Sequence, residues 1–395
     1  MTDAPRVDFV VSNDRHHVAN IAPVIERLRG DVTCRVLSLC EFRGLPTPPT
    51  AAMGCAVVRV VPARLRSPSA GASAAGGSRG TALRTLARKV AWEPLRARLE
   101  MLWRAPPDLV VVPNDAAYPM DRICGLLTRK GVPFVLLQEG IRFPLPGISD
   151  QDAYGTGGAA ALAAWGEASA TYFTDRGVPR ERVHVVGSPR FDAVAATDWR
   201  TAAATLRAGL DLDGPLVGYV SNPIDDQGFC THREKMALFR SFLDAARPLI
   251  VGEGLGVAVK LHSRESPEAF RDTIRERGLS DSRVQVLADA PLYPTLAACD
   301  AVVVLASTVG LEAMLVDTPV GVLELPGAGF VHDYVQCGAA SPLHGDRRLE
   351  GDVRMLLAQD DRHVQRRAYV QRNLANLGNA FEACSELLLR MLDGR

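Results

Sequence analysis

Four short stretches of the chain hold residue types that could do chemistry. One runs from Asp300 through Ser307, Thr308 and Gly310 to Glu312. An apolar run ends at Leu305, and a helix is predicted to begin at or near Ser307-Thr308. Free backbone N–H groups at a helix start, with two hydroxyls beside them, suit a phosphate or diphosphate. The same residues could simply cap the helix. A capping-box carboxylate would then fall three residues after the cap, at Gly310 or Leu311. Glu312 lies four residues beyond Thr308 instead, on that residue's helix face, where it could accept hydrogen bonds from ribose hydroxyls.

A second stretch carries Lys260, His262 and Arg264. If a strand continued through them, their alternation would point all three donors to one face, an arrangement suited to an anionic leaving group. A solvated strand end would also account for two of the three. The third stretch is Phe134-Val-Leu-Leu-Gln138-Glu139-Gly140, a buried strand ending in a carboxylate beside a glycine. The fourth is Ser12-Asn-Asp-Arg-His16-His17-Val-Ala-Asn20, a turn after an apolar run, where one histidine could serve as a general base and the other face solvent. The phosphate loop G-x-x-x-x-G-K-[ST], H-E-x-x-H and G-x-S-x-G are all missing. Nothing in the pattern supports a structural zinc.

Those stretches need elements to hold them. Apolar runs recur at Val7–Ser12, Thr33–Leu39, Val57–Val61, Leu109–Pro113, Phe134–Gln138, Val183–Gly187, Leu216–Val220, Val257–Leu261, Val284–Leu287, Ala301–Leu305 and Val320–Leu323. Most are apolar at successive positions, as in parallel strands buried on both faces. Helical patterns lie between them at Val18–Arg29, Leu83–Trp103, Met120–Lys130, Arg233–Arg247, Pro267–Arg277 and Tyr293–Cys299. Such alternation predicts βαβ units, here in two series. The expected division is an N-terminal domain over 1–195, a C-terminal domain over 196–365, and a final helix, 366–395, crossing back to the first domain. Arg66–Thr81 is poor in large apolar groups and is expected to be a mobile loop. His363–Leu392 reads as one long amphipathic helix.

Bulk properties narrow the functions. The 395 residues are 47% hydrophobic and 23% charged, which fits globular domains. Lys+Arg and Asp+Glu are both 45, so no global field is available for a polyanion and nucleic acid is not an expected partner. Eight scattered cysteines without a C-x-x-C pair read as reduced, mostly core thiols of a cytoplasmic protein. Neither a secretory signal nor a membrane-spanning run is apparent, so membrane contact would be at most peripheral.

Gly187-Ser-Pro-Arg-Phe-Asp192, Lys260-Leu-His262, Ala290-Pro-Leu-Tyr-Pro-Thr-Leu-Ala-Ala-Cys-Asp300 and Ser307-Thr-Val-Gly-Leu-Glu312-Ala-Met-Leu occur in an order that resembles one broad group. It is that of the capsular-polysaccharide and CDP-glycerol glycerophosphotransferase-like GT-B proteins, similar in turn to UDP-N-acetylglucosamine 2-epimerases. The match covers roughly residues 110–325. It implies two Rossmann-like, doubly wound parallel-sheet domains facing across a cleft, with a nucleotide-diphosphate donor held mainly by the second. Ser307 and Thr308 would contact the diphosphate, Glu312 the ribose, and His262 the phosphates or departing oxygen. Pro291 and Leu292 would border the base, with Ser188, Asn222, Lys260 and Arg264 completing the donor set.

Relatives often have Gln-His-Gly where this chain has Gln138-Glu139-Gly140, so the catalytic base would pass to Glu139 or to His16 or His17. The resulting expectation is an inverting, metal-independent glycosyltransferase that moves a sugar or related group from the nucleotide to a hydroxyl acceptor, with no cofactor. A nucleotide-sugar 2-epimerase is the alternative, and a non-catalytic nucleotide-sugar-binding module a third reading.

Overall fold

The computed structural model describes residues 4–61, 78–142, 153–279, 282–358 and 361–394. The chain divides into two compact units. One holds the described residues of 1–142, 148–193 and 372–395, the other those of 194–371. The first is built on β1 (Arg6–Val11), β2 (Thr33–Ser38), β3 (Ala56–Arg59), β4 (Leu109–Val112), β5 (Phe134–Leu137), β6 (Ala161–Ala164) and β7 (Val183–Val185). Their order in the sheet is β3-β2-β1-β4-β5-β6-β7, and neighbouring strands run parallel. The second unit is built on β8 (Leu216–Val220), β9 (Gly256–Lys260), β10 (Val284–Leu287), β11 (Ala301–Val304), β12 (Val320–Leu323) and β13 (Ser341–Leu343). Its order is β10-β9-β8-β11-β12-β13, again parallel.

Both sheets are doubly wound, for the reason visible in the strand sequences. Leu-Val-Val-Val in β4 and Ala-Val-Val-Val in β11 are buried at every position, which only helices on both faces can achieve. In the second unit Tyr219 and Val259 pack against Phe239 and Phe242 of the helix His232–Gly252. That helix opens with a capping box, Thr231 accepting from the Glu234 amide and Glu234 from the Thr231 amide.

Two strands escape the sequence pattern. In β6, Ala-Leu-Ala-Ala is a helix-forming composition, and only pairing with β5 and β7 makes it extended. In β13, Pro342 is tolerated because the strand lies at the sheet edge. The expected loop Arg66–Thr81 is corrected at its end: Ser78 opens the helix Ser78–Leu102, while residues 66–77 lie outside the described residues.

The expected single helix His363–Leu392 is also corrected. It is two helices, His363–Asn373 and Ala380–Asp393. Between them and at the start of the second helix, the chain is pinned within the first unit. The Ala375 amide donates to the Trp165 carbonyl at 2.8 Å, and Asp192 accepts from the amides of Gly378 and Phe381, both at 2.9 Å. This approach needs Gly166 and Gly187, where a Cβ would strike the backbone of Arg372–Asn373 and of Ala375. Gly187 also has φ +89°, a conformation side chains resist.

One charged residue is fully buried inside the first sheet. Asp8 of β1 is fully buried and accepts from Arg35 at 3.0 and 2.5 Å and from the Trp103 indole at 2.8 Å. Of the eight cysteines, all free, four are buried and four half-buried. No helix among the described residues is long and apolar enough to cross a membrane.

Candidate functional site

In a doubly wound sheet the strand order reverses at one point, and the loops that leave the strand ends there diverge to leave a crevice. The reversal falls between β1 and β4 in the first unit and between β8 and β11 in the second. Each holds residues singled out by the sequence.

In the first unit a pocket opens at this reversal, lined by Val10, Val111 and Leu137 with His17, Asn20 and Glu139. His17 is buried and His16 exposed, since the helix His16–Leu28 can turn only one of two adjacent residues inward. The Ser12 amide donates to His17 Nδ1 at 3.1 Å, which leaves the ring proton on Nε2. That N–H donates to Glu139 Oε1 at 3.1 Å. Both imidazole nitrogens are therefore engaged. Burial works to raise the Glu139 pKa, but the hydrogen bond from His17 and the nearby charges of Arg43 and Arg142 outweigh it and bring it down to about 2. Glu139 is thus an ionised carboxylate with low proton affinity. Such a carboxylate is a weak base, whereas a general base is most effective with a pKa near the working pH.

The turn that presents Glu139 is over-determined. Gly140 takes φ +71°, which accounts for the glycine. Gln138 accepts from the Trp165 amide at 2.7 Å and donates to Ser169 at 2.8 Å. The Glu139 amide donates to the Tyr154 hydroxyl at 2.6 Å, and the Arg142 guanidinium lies 3.6 Å over the Tyr154 ring. Asp115, just past β4, escaped the sequence reading. It accepts from the amides of Gly155 and Gly157 at 2.8 and 2.7 Å, and burial pushes its pKa up.

Ser188 belongs to this unit too. It is buried, and its hydroxyl donates to Asn20 Oδ1 at 3.0 Å. Arg190 beside it reaches His16 Nδ1 at 2.8 Å.

In the second unit the expected convergence of Lys260, His262 and Arg264 does not occur. Strand β9 ends at Lys260, whose buried amine donates to the carbonyls of Leu261 at 2.8 Å and Ala288 at 3.1 Å. Lys260 thus ties together the ends of β9 and β10. His262 and Arg264 lie in an exposed turn, because the chain leaves the sheet before them and the two-residue alternation lapses.

Across the reversal, Asn222 donates to the Ala306 carbonyl at 2.9 Å and so joins the loops that follow β8 and β11. Ser307 is buried and its hydroxyl accepts from the Val309 amide at 3.2 Å; Thr308, half-buried, makes no side-chain cap bond. Tyr334 donates to the Ser307 carbonyl at 3.1 Å, its ring occupying the space a Cβ on Gly310 would fill. Glu312 is buried. Pro291 is exposed and Leu292 half-buried at the start of the helix Leu292–Ala298. Among the described residues no group of three or more His, Cys, Asp or Glu is arranged to hold a metal ion.

No known family profile matches the chain, and no curated protein matches it in sequence. Solved structures do match in fold, over nearly the full length of both chains. S. aureus MnaA, solved with UDP, superposes with a TM-score of 0.64 at 13% identity, covering 98% of this chain and 97% of that one. The UDP-GlcNAc 2-epimerase of Methanocaldococcus jannaschii, solved with UDP-GlcNAc and UDP, gives 0.62 at 12% identity, over 98% and 99%. Anabaena Alr3699/HepE with UDP-glucose gives 0.56 at 15%, over 99% and 100%. The chain therefore has the GT-B fold and, as expected from its motifs, resembles UDP-GlcNAc 2-epimerases in that fold.

Proposed function

We propose that the chain binds a nucleoside-diphosphate sugar and inverts a carbon of that sugar, as a nucleotide-sugar 2-epimerase. The observation that supports this reading over hydroxyl transfer is the full-length likeness to several UDP-GlcNAc 2-epimerases. The nucleotide is assigned to the second unit, with Ser307 and Thr308 on the diphosphate and Glu312 on the ribose. The reacting sugar carbons are assigned to Glu139. Breaking the bond between C1 and the diphosphate leaves positive charge on C1, and a fixed, ionised carboxylate is suited to stabilise it. The neighbouring C2–H becomes more acidic as that charge develops, so a weak base suffices to take its proton. Loss of both leaves a C1–C2 double bond. Return of a proton to the opposite face of C2 and re-addition of the departed diphosphate oxygen to C1 complete inversion and restore the nucleotide sugar.

The reaction can be followed by NMR with UDP-GlcNAc in D2O. Inversion through proton loss places deuterium at C2 of the product without any acceptor. UDP binding with no exchange at C2, and sugar transfer once a hydroxyl acceptor is added, would replace this reading with the transferase. The Anabaena structures with UDP-glucose and with UDP and glucose keep that second reading in play.

The ribose assignment has its own test. Glu312→Ala is expected to weaken UDP binding by about 1–3 kcal/mol, the scale for losing hydrogen bonds to a charged group. Unchanged affinity in calorimetry, with the fold intact, would remove Glu312 from the nucleotide.

A further inference from the structure

Lys235 and Glu265 lie outside every motif discussed so far. Lys235 stands in the first turn of the helix His232–Gly252, where a lysine ordinarily reaches solvent, yet its side chain is only 4% exposed. The Glu265 side chain is equally buried, and the two ions meet at 2.5 Å. Lys235 also contacts Asp225 at 3.1 Å, and His232 reaches the other Asp225 oxygen at 2.9 Å. Removing a carboxylate and an ammonium from water is costly, and a hydrophobic pair would often serve stability as well. What the pair does beyond stability is visible in the remaining bonds of Glu265. Its Oε1 accepts from the Ser221 hydroxyl at 2.7 Å, and its Oε2 accepts from the His262 amide at 2.8 Å. One carboxylate thus spans two turns, the one leaving β8 and the one leaving β9. The first of these runs on directly to Asn222, which bonds the loop after β11.

We propose that Glu265, held in place by Lys235, is a positioning residue of the second unit's nucleotide site, clamping the turns after β8 and β9 in the arrangement that receives the diphosphate. This rests on the reading that the second unit binds the nucleotide. An apolar or neutral replacement could fill the space but would not accept from both turns with full charge. Charge-assisted bonds are roughly twice as strong as neutral ones, and their geometry is more tightly held.

The test uses the full chain with UDP as probe. Glu265→Gln is expected to weaken UDP binding about tenfold in calorimetry at 25 °C, well below its unfolding temperature. It should also speed amide hydrogen exchange at His262 in the ligand-free protein. Lys235→Arg, which keeps the charge, should bind UDP within about twofold of wild type, whereas Lys235→Met should resemble Glu265→Gln. A merely structural pair would lower the unfolding temperature in both non-conservative variants yet leave UDP affinity unchanged, and that result overturns the proposal. Faster exchange at His262 is read without ligand, so unaltered exchange in Glu265→Gln overturns the clamp even if that variant is too unstable for calorimetry. Wild-type protein that fails to bind UDP overturns the nucleotide reading itself, and the exchange experiment still decides whether the clamp exists.

Discussion

Glu139→Gln is expected to lower turnover of the nucleotide sugar about 10²–10³-fold, the scale for removing one preorganised electrostatic group from a reacting centre. UDP affinity should stay at the wild-type value. The substitution keeps the volume and one hydrogen-bond acceptor for His17 but deletes the charge, so the comparison isolates the charge itself. The pH profile separates this role from general-base catalysis. A base titrating near neutrality would give wild-type turnover an acid limb that vanishes in the variant. With its pKa brought down to about 2, Glu139 contributes no such limb in the physiological range. Any limb near neutrality belongs to another group and should persist in Glu139→Gln. Its disappearance would restore Glu139 as the base.

The same shift has a stability consequence of definite sign. The folded pKa lies below the ordinary value of 4.5, so Glu139 contributes stability above that pH, and the contribution is lost as pH falls toward about 2. The side chain is 35% exposed, so solvent screening keeps the effect small.

Arg35→Met should destabilise the first unit by about 3–5 kcal/mol, because it leaves Asp8 as a buried carboxylate without its main counter-ion. The Asp8 side chain has no exposure, and Arg35 supplies two of its hydrogen bonds. The Trp103 indole, at 2.8 Å, cannot replace a full charge. Urea unfolding monitored by Trp fluorescence would show the transition of this unit moved to lower denaturant with its slope unchanged. Replacing both partners, Asp8→Leu with Arg35→Met, should recover much of the loss, since a well-packed apolar pair needs no counter-charge. A loss below about 1 kcal/mol in Arg35→Met would mean that the pair behaves like a surface salt bridge.

The β-branched runs of β4 and β11 pointed by themselves to parallel strands buried on both faces, because no exposed face could tolerate them. Gly140 and Gly187 take positive φ in the folded chain, a conformation glycine adopts most easily. The sequence also brought Glu139, His17, Asn222 and Ser307 to strand or helix ends, which is where ligands of such folds bind.

What those residues do once there was decided by tertiary structure. Lys260 and Arg264 are alike in charge, yet one spans two carbonyls and the other lies in an exposed turn, because β9 stops between them. Glu139 reads in sequence only as a carboxylate at a strand end; the fold places His17 and two arginines near it and stabilises its charge. The Ala-rich β6 became a strand only because β5 and β7 offered it hydrogen bonds. Glu265 and Lys235 lie 30 positions apart in the sequence, and only the packing of a helix start against two strand ends makes them one ion pair. Local sequence sets which backbone conformations are cheap. Proton affinity and charge pairing depend on partners that only the folded chain brings within a few ångströms.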